Sequence, residues 1–337
     1  MCAQATECIP RTFPTSPRTP RETLHGITTM PSVSADAVVL RALSRSFGDV
    51  AAVRRLDFTV RRGELFGIVG PDGAGKTTTL RMLAGVLPPS RGDAEILGVS
   101  VAADPEGVKP HIAYMSQRFG LYTDLTVREN IDFYADLYRV PKAERPARIK
   151  RLYEFSNLGE FEHRLAGKLS GGMKQKLGLC CSLVHHPAVL LLDEPTFGVD
   201  PISRRDLWLI LHQMIAEGMT IVISTSYLDE AERCDRIALL HEGAVLALDA
   251  PAALQRSLPG IMLSLRPRDP RKARETLRSV AGVQRATLFG DALHVLVNDE
   301  SAGQRAAAAI SETGNQVFDI ERVSPSLEDV FIQLVGG

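Results

Sequence analysis

An α/β fold on a mainly parallel sheet, followed by a small α+β domain of ferredoxin-like order, is the class this sequence predicts. Three observations carry it. From about residue 37 to 250, short apolar runs alternate with helical stretches, the order of a parallel sheet with crossover helices. Within that region "GPDGAGKTT" (70–78) fits G-x-x-x-x-G-K-[ST] and stands between an apolar run and a helical one, the setting of a phosphate-binding P-loop. After about residue 255 the order becomes β-α-β-β-α-β, that of a split βαβ unit.

Residues 1–35 hold Pro10, Pro14, Pro17, Pro20 and Pro31 among Thr, Ser and Arg. No apolar period appears there, so the stretch is expected to be disordered. Met30 precedes the first strand-like run, "AVVLRAL", and is expected to be the natural start, a real flexible tail being the alternative. The main domain is read as 36–250. "LFGIVG" (65–70) is a short buried-type strand, and "KTTTLRMLAG" (76–85) is a helix closed by Gly85. Between about 119 and 168 the chain turns helical and more charged, with Pro141 and Pro146 between two helices. This stretch is read as an inserted helical subdomain. "VLLLD" (189–193) is a continuous apolar strand, as found in sheets covered on both faces. Leu207, Ile210, Leu211, Met214 and Ile215 recur at helical spacing, and Gly218 ends that helix. "TIVIST" (220–225) is the next strand. The accessory domain is read as 255–337, with a hairpin at Gly290-Asp291 and a final helix, "SLEDVFIQLV".

Composition narrows the function. Of 337 residues 45% are hydrophobic and 23% charged, which is ordinary for a globular chain with a sizeable core. A formal net charge of −1 argues against a nucleic-acid or polyanion partner. The cysteines, Cys2, Cys8, Cys180, Cys181 and Cys234, are odd in number and match no zinc spacing. A reducing, cytosolic compartment follows. No apolar run reaches the ~18 residues that cross a bilayer, and no secretory signal is visible.

The loop Gly70-Pro71-Asp72-Gly73-Ala74-Gly75 lets backbone N–H groups converge on phosphate oxygens. The helix it opens adds a partial positive charge and Lys76 a full one. Thr77 presents a hydroxyl to Mg²⁺, with Thr78 beside it. "VLLLDEP" (189–195) supplies the other half. Asp193 stands at the carboxyl end of a buried strand, where open α/β sheets place ligands, and can act on Mg²⁺. Strand alternation turns Glu194 to the other side, where a carboxylate can polarise an attacking water.

"LSGGMKQK" (169–176), with the P-loop and "LLLDEP", resembles the signature of ABC-type ATPases across about 215 residues. That resemblance implies ATP and Mg²⁺ as ligands and assigns further residues. Gln117 in "YMSQRFG" matches the Q-loop glutamine, acting on Mg²⁺ or water. Phe47 matches the aromatic that stacks on adenine, core packing being its bland alternative. Asp200 in "FGVD" matches the D-loop aspartate of the dimer interface. Ser170, Gly171, Gly172 and Met173 match the signature that meets the γ-phosphate across a head-to-tail dimer, at a helix start suited to anions. A second ATPase domain is therefore implied. So is a separate transmembrane permease that docks near Gln117–Asp124, which would place the chain peripherally on the cytoplasmic face of the inner (plasma) membrane. The ending "PSLEDVFIQLVG" resembles the daunorubicin-resistance type, which implies multidrug or lipophilic-substrate efflux with ABC-2-type permeases.

One position departs. Where the family normally has a histidine, the chain reads Ser224-Thr225-Ser226, and no His lies between His212 and His241. Serine is too short to take the imidazole's place. Losing such a group costs roughly 10²–10⁴ in rate. Either this chain is the degenerate half of a heterodimer, or its homodimer hydrolyses ATP slowly through Glu194 and Gln117, or Ser226 is tolerated with little effect. Other classes fit less well. A soluble ABC ATPase acting on nucleic acid or ribosomes would carry a coiled-coil insertion, zinc modules or two ATPase units. A kinase or GTPase would leave "LSGG" unexplained, and a non-catalytic regulator sits poorly with Glu194. His185 and His186 are read as capping a helix dipole rather than binding metal. Cys180, Cys181 and Trp208 are read as packing residues, and the Arg-rich strip 266–278 as a solvated face.

Overall fold

The structure, a computed structural model, describes residues 35–117 and 120–336. The expectations for Met30 and the proline-rich start lie outside the described residues. The chain runs β1 (Asp36–Phe47), β2 (Val50–Arg61), β3 (Leu65–Val69), α1 (Lys76–Leu83), β4 (Arg91–Ile96), β5 (Val99–Ser100), α2 (Pro105–Val108) and β6 (Ile112–Met115). Three helices follow, α3 (Val127–Leu137), α4 (Arg145–Ser156) and α5 (Gly171–Leu183). Then come β7 (Val189–Asp193), α6 (Pro201–Ala216), β8 (Thr220–Thr225), α7 (Leu228–Ala231), β9 (Arg236–His241), β10 (Ala244–Asp249) and α8 (Pro251–Arg256).

The central sheet has the order β10-β9-β3-β8-β7-β6, parallel except for β10. Every residue of β3, β7 and β8 is buried, because both faces are covered. Val69, Leu192, Ile223 and Leu239 face one core with α5 and α6. Ile68, Leu191, Val222 and Ala238 alternate to the other core with α1. That second core is closed by an antiparallel sheet of order β2-β1-β4-β5, which the sequence reading did not resolve. Its strand period is broken by register shifts between Leu40 and Leu43 and around Arg45. Ala42 takes φ +49 in that break, and a Cβ on Gly92 would stand 2.1 Å from its carbonyl oxygen.

Helices α3 and α4 pack on α5. A reciprocal capping box, Thr126 with Glu129, starts α3. Cys180 and Cys181 are buried in α5, and burial pushes both thiols up. The histidines after α5 do not serve as a charged cap. His185 sets Nε2 3.0 Å from the Ile112 carbonyl oxygen and stacks on Tyr138. Burial lowers the pKa of both His185 and His186. A neutral ring contributes little to a helix dipole.

The remaining elements are β11 (Ile261–Pro267), α9 (Pro270–Leu277), β12 (Val283–Phe289), β13 (Ala292–Val297), α10 (Glu300–Glu312), β14 (Val317–Arg322) and α11 (Leu327–Val335). Their sheet is antiparallel with the order β12-β13-β11-β14, the ferredoxin-like arrangement. Leu265, Leu293 and Val295 pack on Ala273, Leu277, Ala306 and Ile310. Helix α11 bridges this unit and the parallel sheet: Asp329 Oδ2 lies 3.1 Å from His294 Nδ1, and Arg285 Nη1 donates to the Ile332 carbonyl at 2.7 Å. Leu327 and Val330 of α11 join the core of the parallel sheet beside Ala231 and Leu254, and Phe331 meets His241 edge-on. Among the described residues no helix is long and apolar enough to cross a membrane.

Candidate functional site

The P-loop leaves β3 at Gly70 and reaches α1 at Lys76. A Cβ on Gly70 would stand 2.2 Å from the Leu240 carbonyl oxygen, and one on Gly75 2.5 Å from that of Ala52. Gly75 also caps α1 at φ 100, a conformation that L side chains resist. Gly75→Ala is therefore expected to cost about 1–3 kcal/mol and to weaken nucleotide binding at the same time. A thermal melt and an ATP titration on the same sample check this; an unchanged Tm would contradict it.

The loop borders an open cleft of about 410 Å³ lined by Asp72, Gly73, Gly75, Lys76, Thr77, Thr78, Gln117 and Glu194, together with Ala52 and Phe197. Wider depressions of about 700 and 540 Å³ lie over α9 and β12, among arginines. The P-loop cleft is smaller, but here backbone donors, an ammonium, hydroxyls and carboxylates converge, which is what a phosphate site requires. Lys76 is only 4% exposed. Its Nζ donates to the carbonyls of Gly70 (2.8 Å) and Pro71 (3.0 Å) and pairs with Glu194 Oε1 at 3.1 Å. Asp72 stands farther off at 3.8 Å.

Asp193 lies buried at the end of β7. Its Oδ1 accepts from Thr77 Oγ1 (3.0 Å) and Ser224 Oγ (2.7 Å), and its Oδ2 from Tyr114 OH (3.3 Å). Burial, then the Asp193 charge, push the Tyr114 phenol up to about 12, so it stays a donor. Glu194 does not turn away by strand alternation. It sits past the strand at φ +47, and its N–H donates to both the carbonyl and Oγ of Ser224, each at 3.1 Å. From that left-handed turn Glu194 lines the cleft together with Thr77. Gln117 Nε2 donates to Glu194 Oε2 at 3.1 Å.

Other expected residues stand apart from this cleft. Ser170 is the cap of α5, its Oγ accepting from the Met173 N–H at 3.3 Å. Ser170 and Gly171 are exposed, while Gly172 is buried. A Cβ on Gly172 would meet Ser203 Oγ at 2.1 Å and Asp200 Oδ2 at 3.5 Å. Asp200 in turn caps α6 by accepting from the Ser203 N–H at 2.9 Å, and that bond holds its carboxyl below the usual range. The signature and Asp200 thus form one surface, distinct from the P-loop. Phe47 is 48% exposed at the β1–β2 turn, with the Arg45 guanidinium 4.7 Å over its ring, which is not a core position. Ala52, not Phe47, is the residue of this hairpin that lines the cleft. Ser226 is half-buried just beyond β8. The preceding carbonyl, that of Thr225, accepts from the Gly70 N–H at 3.3 Å, so the serine stands next to the start of the P-loop.

Sequence reasoning missed Ser224, Tyr114, Thr196 and Glu230. Ser224 becomes visible only through the pairing of β7 with β8, which sets it opposite Asp193.

Comparison with known proteins gives the family. The ABC transporter family model matches residues 53–197. The model of the ATP-binding protein DrrA1-3-like C-terminal domain matches residues 251–335. The chain is 44% identical over 307 residues to the probable multidrug ABC transporter ATP-binding protein YbhF of Escherichia coli, covering 90% of this chain and 53% of that protein. It thus spans about half the length of that relative. It is 37% identical to the Nod factor export ATP-binding protein I of Burkholderia lata, covering 88% of this chain and 96% of the other. Identity to the daunorubicin/doxorubicin resistance ATP-binding protein DrrA of Streptomyces peucetius is 35%, covering 89% and 92%. Among solved structures, an ATP-binding subunit of an ABC transporter aligns with a TM-score of 0.60 at 31% identity, over 65% of this chain and 92% of that one. A dimeric cassette in a post-hydrolysis state, bound to ADP and Pi, aligns at 0.57 and 25%, over 63% and 98%. With P-loop, buried aspartate, glutamate and signature helix in place, the chain belongs to the ATP-binding subunits of the ABC transporter family.

Proposed function

We propose that this chain hydrolyses ATP to power a membrane exporter of lipophilic or drug-like molecules. The observation that carries the reading is the convergence of Lys76, Thr77, Gln117 and Glu194 on one cleft, with buried Asp193 accepting from Thr77. Backbone N–H groups of the P-loop and the Lys76 ammonium bind the phosphates. The Lys76–Glu194 ion pair then opens, because phosphate oxygens compete for the ammonium. Its release frees the Glu194 carboxylate to accept a proton from the attacking water, with the Gln117 amide orienting that water.

The donors beside the loop fit Mg²⁺. Thr77 Oγ1 and Asp193 Oδ1 are 3.0 Å apart, an all-oxygen pair of the hydroxyl-plus-carboxylate kind that Mg²⁺ uses beside substrate phosphates. Gln117 offers a third oxygen. Bound there, Mg²⁺ supplies charge neutralisation for the phosphates.

The exposed Ser170–Gly171 start of α5 supports a head-to-tail dimer, in which a second ATPase domain brings its own signature to this P-loop. Phe47 stacks on adenine, and Asp200 lies at the dimer interface. The names of the relatives support export through a separate permease, with this chain peripheral on the cytoplasmic side of the membrane. Ser226 supports a pairing with a second ATPase that keeps its histidine. Lys76→Ala tests the site. A fluorescent ATP analogue with Mg²⁺ is expected to bind the wild type and to lose roughly tenfold or more in affinity in the variant, since charge-assisted contacts are the strong ones. Equal affinity in both proteins would remove the P-loop from the reading.

A further inference from the structure

Glu230 is a buried carboxylate that the chemistry above leaves unused. It is 1% exposed, on α7, four residues beyond Ser226. Its Oε2 accepts from Thr196 Oγ1 and from Thr225 Oγ1, each at 2.9 Å. Its Oε1 faces Arg204 Nε at 3.5 Å. These three partners come from three different segments. Thr196 lies two residues after Glu194, in the turn whose Phe197 N–H donates to the Glu194 carbonyl at 3.1 Å. Thr225 ends β8 and immediately precedes Ser226; its Oγ1 also accepts from the Tyr227 N–H at 3.0 Å. Arg204 lies in the first turns of α6, its N–H donating to the Asp200 carbonyl at 2.9 Å, and its guanidinium rests 4.8 Å over the Tyr227 ring.

We propose that Glu230 is a positioning residue that holds the Glu194 turn, the Ser226 tip and the Asp200 helix in one register. The chemistry selects a carboxylate. One oxygen accepts two hydroxyl protons while the other faces a cation, and an ionised carboxylate is acceptor-only. Glutamine can keep the two hydroxyl bonds only by turning its NH₂ toward Arg204, donor against donor. Burying a charge is costly unless it is paired and hydrogen-bonded, so a carboxylate kept in this position answers a requirement. Here the requirement is that loops carrying the water-polarising carboxylate and the tip beside the P-loop keep a fixed spacing. This inference rests on the proposed hydrolysis, and the closing experiment separates the two.

Four proteins are compared: wild type, Glu230→Gln, Ser226→His and the double variant. Thermal melting confirms that each is folded, and Thr225→Val replaces Glu230→Gln if that variant is not. Glu230→Gln is expected to lower kcat roughly tenfold with the KM for ATP unchanged, and to cut the gain from Ser226→His several-fold, since coupled neighbours are non-additive. Hydrogen exchange of the peptide spanning residues 194–199 is expected to quicken in Glu230→Gln, whatever the turnover. Unchanged exchange, with additive effects on kcat, overturns the proposal. A shift confined to KM overturns it too. If Ser226→His gains nothing while exchange still quickens, the reading of Ser226 fails and the positioning role stands.

Discussion

Replacing Glu194 by Gln is expected to lower Mg²⁺-dependent ATP turnover by roughly 10²–10⁴-fold, the range a general base contributes. The substitution is close to isosteric, so the loss isolates the carboxylate's charge and basicity. Glutamine keeps the contact distance to Gln117 but cannot take a proton from water, and it removes the ion pair with Lys76 at 3.1 Å. Freeing Lys76 favours phosphate binding, so affinity for ATP is expected to hold or rise while kcat collapses. Steady-state turnover and an equilibrium ATP titration on the same preparation check both halves. Retained turnover would mean that another group handles the proton, and the assignment of Glu194 would fall.

Ser226→His is expected to act in the opposite direction and raise kcat by roughly 10²-fold. The tip is half-buried, so an imidazole can extend from it without entering the packed core. Thr225, fixed by Glu230 and joined to Gly70 through its carbonyl, sets the backbone next to the phosphate loop. The hydroxyl of Ser226 is too short to span what an imidazole spans. Single-turnover and steady-state rates of the purified chain report the effect. If Glu194→Gln in the same background abolishes the gain, one site contains both groups. A wild type that already turns over briskly and is indifferent to Ser226→His would favour a homodimeric ATPase with a tolerated serine.

Much of this molecule was legible before its structure. The strands with apolar runs, β3 and β7, are buried on both faces, where composition alone signals burial. The P-loop was legible because glycine spacing encodes a backbone path. The antiparallel sheet was not, because bulges in β1 destroy the period of two on which a strand reading depends. The backbone path at Glu194 was misread for a related reason. Alternation holds only within a strand, and Glu194 lies one residue past it at positive φ. Ser224 and Glu230 act through partners about thirty residues away in sequence, which no local pattern reveals. The role of α11 was hidden as well. Its amphipathic pattern says that one face is buried but not against which neighbour.

That helix has a consequence for how the protein is made. Leu327 and Val330 fill the same core as Ala231 and Leu254, so the apolar bed between α7 and α8 stays uncovered until α11 has left the ribosome. The ferredoxin-like unit, whose apolar core holds no residue of α11, is synthesised first, and its His294 and Arg285 gain their partners Asp329 and Ile332 only when α11 follows. A chain without α11 would therefore carry a folded-looking body and an open apolar seam. Quality control can read such a seam as damage.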